Sequence, residues 1–393
     1  MYRKDSVWLY GFGAAILLLS LFVYWTYFEP EWADYQSEFR DLVLEKFGKD
    51  RVAQIPRGLQ QIWAQDLRRV DRCTTCHQGM EWKGLETAAN PFKTHPKEIL
   101  RSHTLQQYGC TVCHGGQGYA TEVESAHGFA ENWDEPLLAK RLGDLYLVRD
   151  KGALMQIQCN RCHRYDRETK GVDFINRAKQ LVQEKGCRAC HTINGRGGVI
   201  GPDLTAVGDK APEQYDYSRI SGVKTAFAWH VEHLQNPKAL VPETVMPNFG
   251  FSTNDAKALA SLVMSWKREE LPVRYIPGAT PVDRPTPEEA EKERLMLTGE
   301  GAFFVKKGCF ICHSVSAFGI DSATKIGPDL ALAATDVQSR FGRTLEDFLA
   351  NPTGTMAVVL STQIQLSPEE KREAVEKLKA AYQSKLDQSQ KQK

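Results

Sequence analysis

From Val7 to Phe28 the chain runs without a charged side chain, VWLYGFGAAILLLSLFVYWTYF. As a helix this run spans about 33 Å, enough to cross the hydrocarbon core of a bilayer. Aromatic side chains mark both ends, Trp8 and Tyr10 on one side and Tyr24, Trp25, Tyr27 and Phe28 on the other, as interfacial belts do. No small-x-small cleavage site follows; the next residues are Glu-Pro-Glu-Trp, so the run reads as a retained anchor and not a cleaved leader. Arg3 and Lys4 precede it, and Glu29, Glu31 and Asp34 follow. That asymmetry leaves the amino terminus in the cytoplasm and the rest of the chain outside.

Residues 29–72 continue as an amphipathic pattern, with Trp32, Tyr35, Phe39, Leu42 and Val43 at helical spacing. They read as a juxtamembrane stalk, or as a docking surface for another membrane subunit. Residues 73–172 are rich in Gly, Pro and polar side chains and give little periodicity. From 173 the texture becomes helical, with one stretch from Phe174 to Glu184, a second ending at Asn236-Pro237 and a third from Thr253 to Lys267. A proline-rich linker covers 272–296, and the plan recurs over 297–384, closing on a helix opened by Ser367-Pro368-Glu369-Glu370. The polar stretch beyond Tyr382, including the tail 385–393, is expected to be disordered. The expected fold is mainly α: an anchor within 1–28, the stalk, an irregular domain over 73–172 and two tandem helical domains at 173–271 and 297–384.

Cys73-Thr74-Thr75-Cys76-His77 is the first of five Cys-x-x-Cys-His motifs. The others are Cys110/Cys113/His114, Cys159/Cys162/His163, Cys187/Cys190/His191 and Cys309/Cys312/His313. This is the c-type haem attachment pattern. Two thiols three positions apart on a helical turn add to the two vinyl groups of one haem, and the next imidazole is placed under the iron. The motifs use all ten cysteines, so none remains for a disulfide, a zinc site or a nucleophile. A disulfide framework or zinc pairs would account for paired cysteines, but not for a histidine after every pair. Five covalently attached haems c are expected. In bacteria this attachment happens outside the inner membrane, which agrees with a single-pass chain whose haem domains are periplasmic. Lysine plus arginine (50) balances aspartate plus glutamate (49), so no basic field points to nucleic acid. Haem propionates would add about ten negative charges, which suits a basic docking partner.

Residues 73–172 hold three motifs and three further histidines, His95, His103 and His127. One reading gives each of these irons a second imidazole. The other makes one or two of the three histidines surface or propionate partners, with Met80 or Met155 as sixth ligand or one iron five-coordinate. Which histidine meets which iron is left open. Glycines after His114 let backbone pass close to a haem face and do not resemble a phosphate loop. His230 and His233 share one helix face and read as structural.

The blocks at 173–271 and 297–384 resemble class I cytochromes c. The resemblance is carried by the order Cys187–His191, Gly201-Pro202-Asp203-Leu204, Asn236-Pro237 and Met246-Pro247. It recurs as Cys309–His313, Gly327-Pro328-Asp329-Leu330, Asn351-Pro352 and Met356. It implies a small helical fold around each haem. It also implies that the Pro202 and Pro328 carbonyls hold the proximal His191 and His313, and that Met246 and Met356 supply thioether ligands. Met356 is followed by Ala357, a departure from the pattern; it is, however, the only methionine beyond His313, and no histidine follows.

A thioether raises an iron's potential and a second imidazole leaves it lower, so the pattern orders an electron path outward from the membrane. The whole chain looks like the cytochrome c subunits of bacterial quinol-oxidising complexes, either cytochrome b/Rieske assemblies or alternative complex III. That likeness implies a quinol-oxidising, cytochrome b-like or equivalent membrane partner. It also implies a periplasmic acceptor such as a soluble cytochrome c or an oxidase, in a respiratory or photosynthetic chain. A catalytic multihaem reductase, for example of nitrite, is the alternative. Pentahaem nitrite reductases, however, replace one motif histidine by lysine, and all five motifs here keep histidine. Membrane-anchored tetrahaem quinol dehydrogenases, a further alternative, lack the two class I blocks. No residue is assigned a catalytic role.

Overall fold

The computed structural model describes residues 2–28, 30–128, 150–279, 282–322, 324, 326–362 and 364–391. The fold is mainly α. Among the described residues the strands form two short antiparallel pairs, Ile62–Ala64 with Arg69–Asp71 and Thr192–Ile193 with Arg196–Gly197. The chain divides into two compact units, Met1–Leu142 and Gly143–Lys393.

The first unit opens with the helix Tyr2–Phe28, which is long and apolar enough to cross a membrane. Its side chains from Ser6 to Thr26 are all exposed on the isolated chain. Glu29 and the side chains of Arg3, Lys4, Tyr27 and Phe28 lie outside the described residues. The next helix, Glu31–Phe47, ends at Gly48, whose φ of +85° favours glycine. Its apolar stripe does not stand free as a stalk. Phe39 and Val43 are fully buried in one cluster with Ile55, Leu85 and Phe92, and Trp82 meets Phe39 edge-on at 5.5 Å. Burying a side chain such as Phe39 contributes about 1.5–3 kcal/mol. Gln36 fixes the same helix to the first motif: its amide nitrogen donates to Gly58 O (2.8 Å) and Thr75 O (3.0 Å). The helix Glu31–Phe47 is therefore packed into the body that holds the first motif. An amphipathic face needs an apolar partner, and Leu85 and Phe92 provide it.

The second unit begins, in its described part, with the helix Lys151–Cys162, whose start is capped by the Asp150 carboxylate accepting from Gly152 N at 2.8 Å. A division at 172/173 would place the third motif with the first two, whereas it packs here with the helical blocks. Buried Asn160 donates to Ser265 Oγ at 2.7 Å, and the Gln156 side chain accepts from Phe174 N at 2.9 Å. The helix Asp173–Glu184 buries Ile175, Ala178, Leu181 and Val182. It packs across Thr253–Ser265, which is capped by Ser252 and also receives Ala226–Gln235. The 272–296 segment is anchored by charge. Asp283 accepts from Arg188, Arg196 and Asn194, while Arg167 pairs with Glu289 and Arg196 with Glu293. Thr286 and Glu289 form a capping box at the start of the helix Pro287–Thr298. Met296 of that helix shares a core with Phe304, Phe310, Phe348 and Leu378. Residues 383–391 are helical although their composition predicts disorder: Pro368–Lys391 is one helix. Lys385 Nζ donates to Ser316 Oγ at 2.9 Å and Gln388 Nε2 to Ala317 O at 3.0 Å, so tertiary contacts hold a sequence whose polarity suggested none.

Candidate haem centres

Each Cys-x-x-Cys-His motif forms one helical turn closed in the same way. The histidine N–H donates to the first cysteine's carbonyl at 2.9 Å in the first two motifs, 3.0 Å in the next two and 3.1 Å in the last. That turn brings both thiols to one side and the imidazole beneath them, the arrangement that two thioethers and one axial bond require. None of the ten cysteines is joined in a disulfide. Burial pushes the thiols of Cys187 up to about 12 and of Cys76, Cys190 and Cys309 up to about 11.

In the second unit two centres are built alike. His191 Nδ1 donates to Pro202 O at 2.8 Å, and His313 Nδ1 to Pro328 O at 2.7 Å. Gly201 N donates to Cys190 O at 2.9 Å and Gly327 N to Cys312 O at 2.7 Å, folding each Gly-Pro segment over its histidine. The fit leaves no space for a side chain. A Cβ on Gly201 would lie 2.4 Å from the His191 ring, and one on Gly327 would lie 2.3 Å from His313. With Nδ1 engaged, Nε2 is the nitrogen available to iron. Met246 lies half-buried between the helices Pro237–Leu240 and Thr253–Ser265, its N–H bonded to Thr244 Oγ1 at 3.1 Å. Met356 stands in the first turn of the helix Thr355–Thr362, packed against the core that contains Phe348 and Leu378.

The third motif closes the helix Lys151–Cys162. There a carboxylate replaces the proline carbonyl: His163 Nδ1 donates to Asp166 Oδ2 at 2.6 Å, and Lys179 Nζ donates to the carbonyls of His163 and Asp166, both at 2.7 Å. Asp166, three residues after the histidine, was legible as an acid one turn on but was not singled out.

The first unit brings together four histidines. The rings of His77 and His127 lie 6.3 Å apart between centroids, and those of His95 and His114 lie 6.1 Å apart. His127 Nδ1 donates to Val123 O at 2.8 Å and His95 Nδ1 to Pro96 O at 3.1 Å, while the His77 ring bonds the Pro91 carbonyl. Burial lowers His77, as does the nearby His127, and lowers His114 to about 4 with help from His95 and His77, which keeps these imidazoles neutral. His103 packs edge-on against Tyr108 at 4.9 Å, with Nδ1 directed to Ile99 O at 3.3 Å. The Cys73 and Cys110 thiols of the two motifs interact, which raises Cys110 together with burial and lowers Cys73 against it. Behind them lies Asp71, 1% exposed, whose Oδ2 accepts from Cys110 N (2.7 Å) and Thr111 N (3.2 Å). Its other oxygen has no partner among the described residues. Asp71 sits two positions before the first motif, and only its burial reveals its part.

His230 and His233 occupy the helix Ala226–Gln235. His230 Nε2 meets Tyr215 Oη at 2.9 Å and burial lowers it to about 3. His233 stacks on Trp229 at 4.7 Å, and its Nδ1 is buried without a hydrogen-bond partner.

The residues present fit haem c: thiols paired on one turn, imidazoles with Nδ1 already engaged, and glycines where a side chain would strike the axial ring. Residues 175–267 match the cytochrome c family. No match to the chain is found among curated proteins or among solved structures. The chain thus carries, over residues 175–267, a cytochrome c domain, a module that binds haem covalently and transfers electrons.

Proposed function

We propose that the chain is a membrane-anchored pentahaem cytochrome c that passes electrons from a quinol-oxidising membrane partner to a periplasmic acceptor. The observation that carries this reading is the repetition of one turn geometry at all five motifs, each with the histidine N–H closed on the first cysteine carbonyl. One of the five lies in the cytochrome c match, and the others share its local build. The corresponding glycine–histidine contacts at Gly201 and Gly327 support a second class I domain over 297–384.

When bound, haem supplies an iron that changes oxidation state by one electron. The polypeptide fixes the rest. Cys73, Cys76, Cys110, Cys113, Cys159, Cys162, Cys187, Cys190, Cys309 and Cys312 tether the five groups, and His77, His114, His163, His191 and His313 are the proximal ligands. Pro202 and Pro328 carbonyls and the Asp166 carboxylate orient three of those imidazoles through Nδ1. The carboxylate also makes His163 the more basic ligand. Met246 and Met356 are the distal ligands of the two class I sites, and His95, His103 and His127 form the distal set for the other three. Thioether ligation favours ferrous iron, so the His191 and His313 sites form the high-potential, acceptor-facing end. The helix Tyr2–Phe28 inserts in the bacterial inner membrane with the amino terminus in the cytoplasm, which leaves the haem sites periplasmic and beside a cytochrome b-like or equivalent partner.

Redox titration with spectroscopic resolution tests this order. Two His/Met haems are expected above the other three; the reverse order overturns it. Ready reaction of the reduced protein with nitrite or carbon monoxide would reveal an open iron and favour a reductase instead.

A further inference from the structure

Resting on the haem reading above, we propose that the first unit holds its two haems as a contact pair. His127 lies trans to His77 on one iron and His95 trans to His114 on the other, and the two porphyrin rims meet where Cys73 adjoins Cys110.

Three independent observations converge on this pairing. The first is spacing. Two metal–imidazole bonds of about 2 Å in line, plus the half-width of each ring, put the centroids of a trans pair about 6 Å apart. The observed separations are 6.3 Å for His77 and His127 and 6.1 Å for His95 and His114.

The second is orientation. Both distal candidates have Nδ1 turned to a carbonyl of their own segment, Val123 O for His127 and Pro96 O for His95. That choice fixes the tautomer and leaves Nε2 for the metal.

The third is the approach of the two motifs. Cys73 and Cys110 belong to different motifs, yet Asp71, two positions before Cys73, accepts from Cys110 N at 2.7 Å and from Thr111 N at 3.2 Å. Each thiol adds across one vinyl group, its hydrogen and its sulfur going to the two carbons of the double bond, so no oxidant is needed. Once both have reacted, the two substituted porphyrin edges stand side by side. Asp71 locks the contact by accepting the amides that open the second motif.

The pairs are nested in sequence: His77 with His127 encloses His95 with His114. Iron binding therefore closes two loops and cross-links a unit whose fully apolar core is the small cluster around Phe39.

The test uses the full membrane-anchored chain matured with haem, read by near-infrared magnetic circular dichroism, which separates bis-histidine from histidine/methionine iron. His127→Met and His95→Met are each expected to convert one bis-histidine haem to His/Met, with five haems retained by pyridine haemochrome. In a Cys110→Ala/Cys113→Ala background, which lacks the second haem, His127→Met should still convert one haem and His95→Met should convert none. The opposite response overturns the pairing, as does an unchanged spectrum in either single variant. Should the double cysteine variant not accumulate, His127→Gly and His95→Gly with added imidazole take its place. Each is expected to lose one bis-histidine signal and regain it on addition; no loss overturns the proposal. The contact is read by titration: His127→Met should shift the midpoint of the second, unmodified haem of the pair as well, and a shift confined to one haem overturns it. A Cys73–Cys110 disulfide with fewer than five haems would instead sink the pentahaem reading itself, and mass spectrometry distinguishes that outcome.

Discussion

A buried carboxylate beside two iron sites favours their oxidised, more positive state. On the proposed reading Asp71 would be such a group, closed off from solvent and held by two amides of the second motif. Asp71→Asn keeps an acceptor oxygen but removes the charge. The midpoint potentials of the two first-unit haems are expected to rise, with the His/Met haems unmoved; spectroelectrochemical titration checks this, and unchanged low-potential waves would count against the placement. Gly201→Ala tests the proximal cradle. Its new Cβ would lie 2.4 Å from the His191 ring, so ring or backbone must shift, at a cost of about 1–3 kcal/mol. Thermal unfolding of the holoprotein should show that loss, together with an altered spectrum for one haem. The residues with a chemical signature of their own, the five motifs and the two Gly-Pro segments, were legible in the sequence. The burial of Asp71 and the approach of His127 to His77 were not, because each depends on contacts between segments that no local spacing encodes.

At the scale of elements, the segment between the helical blocks acts as a clasp. Glu289 is held down at about 2 from the usual 4.5, chiefly by its hydrogen bond to Arg167, helped by the Thr286 amide and the charge of Arg196. A carboxylate depressed on folding adds stability that is fully present above its unfolded value. That stability falls as pH drops from about 4.5 toward about 2. Holoprotein unfolding followed from pH 6 to 3 is expected to show this loss, and Glu289→Gln should flatten it; an identical slope in the variant would contradict the assignment. Asp283→Ala leaves the largely buried Arg188 and Arg196 short of a partner. It should expose the 272–287 stretch to limited proteolysis while the haem spectrum stays unchanged. The proline content marked this stretch as a linker, but the acids that tie it down read as ordinary solvated charge. Helix ends were legible where local signals mark them: Ser367 begins one helix, and Asn236-Pro237 ends another.

At the scale of the whole molecule, the sequence order of the motifs and their grouping in space differ. Two lie in Met1–Leu142 and three in Gly143–Lys393. Composition changes near residue 173, but the division is decided by partners such as Ser265 for Asn160, more than a hundred residues apart. The long apolar helix was legible because bilayer thickness imposes a length on an uncharged run, whatever the rest of the chain does. On the proposed reading, the His77 and His114 sites lie in the unit that carries the apolar helix, and the His163 site lies with the two His/Met sites in the other. All of this rests on five haems bound through thioethers to one chain. The most direct measurement is the intact mass of the mature protein under denaturing conditions. The account predicts the polypeptide mass plus five haems, with no free thiol; fewer haems, or any pair of cysteines recovered as a disulfide, would contradict it.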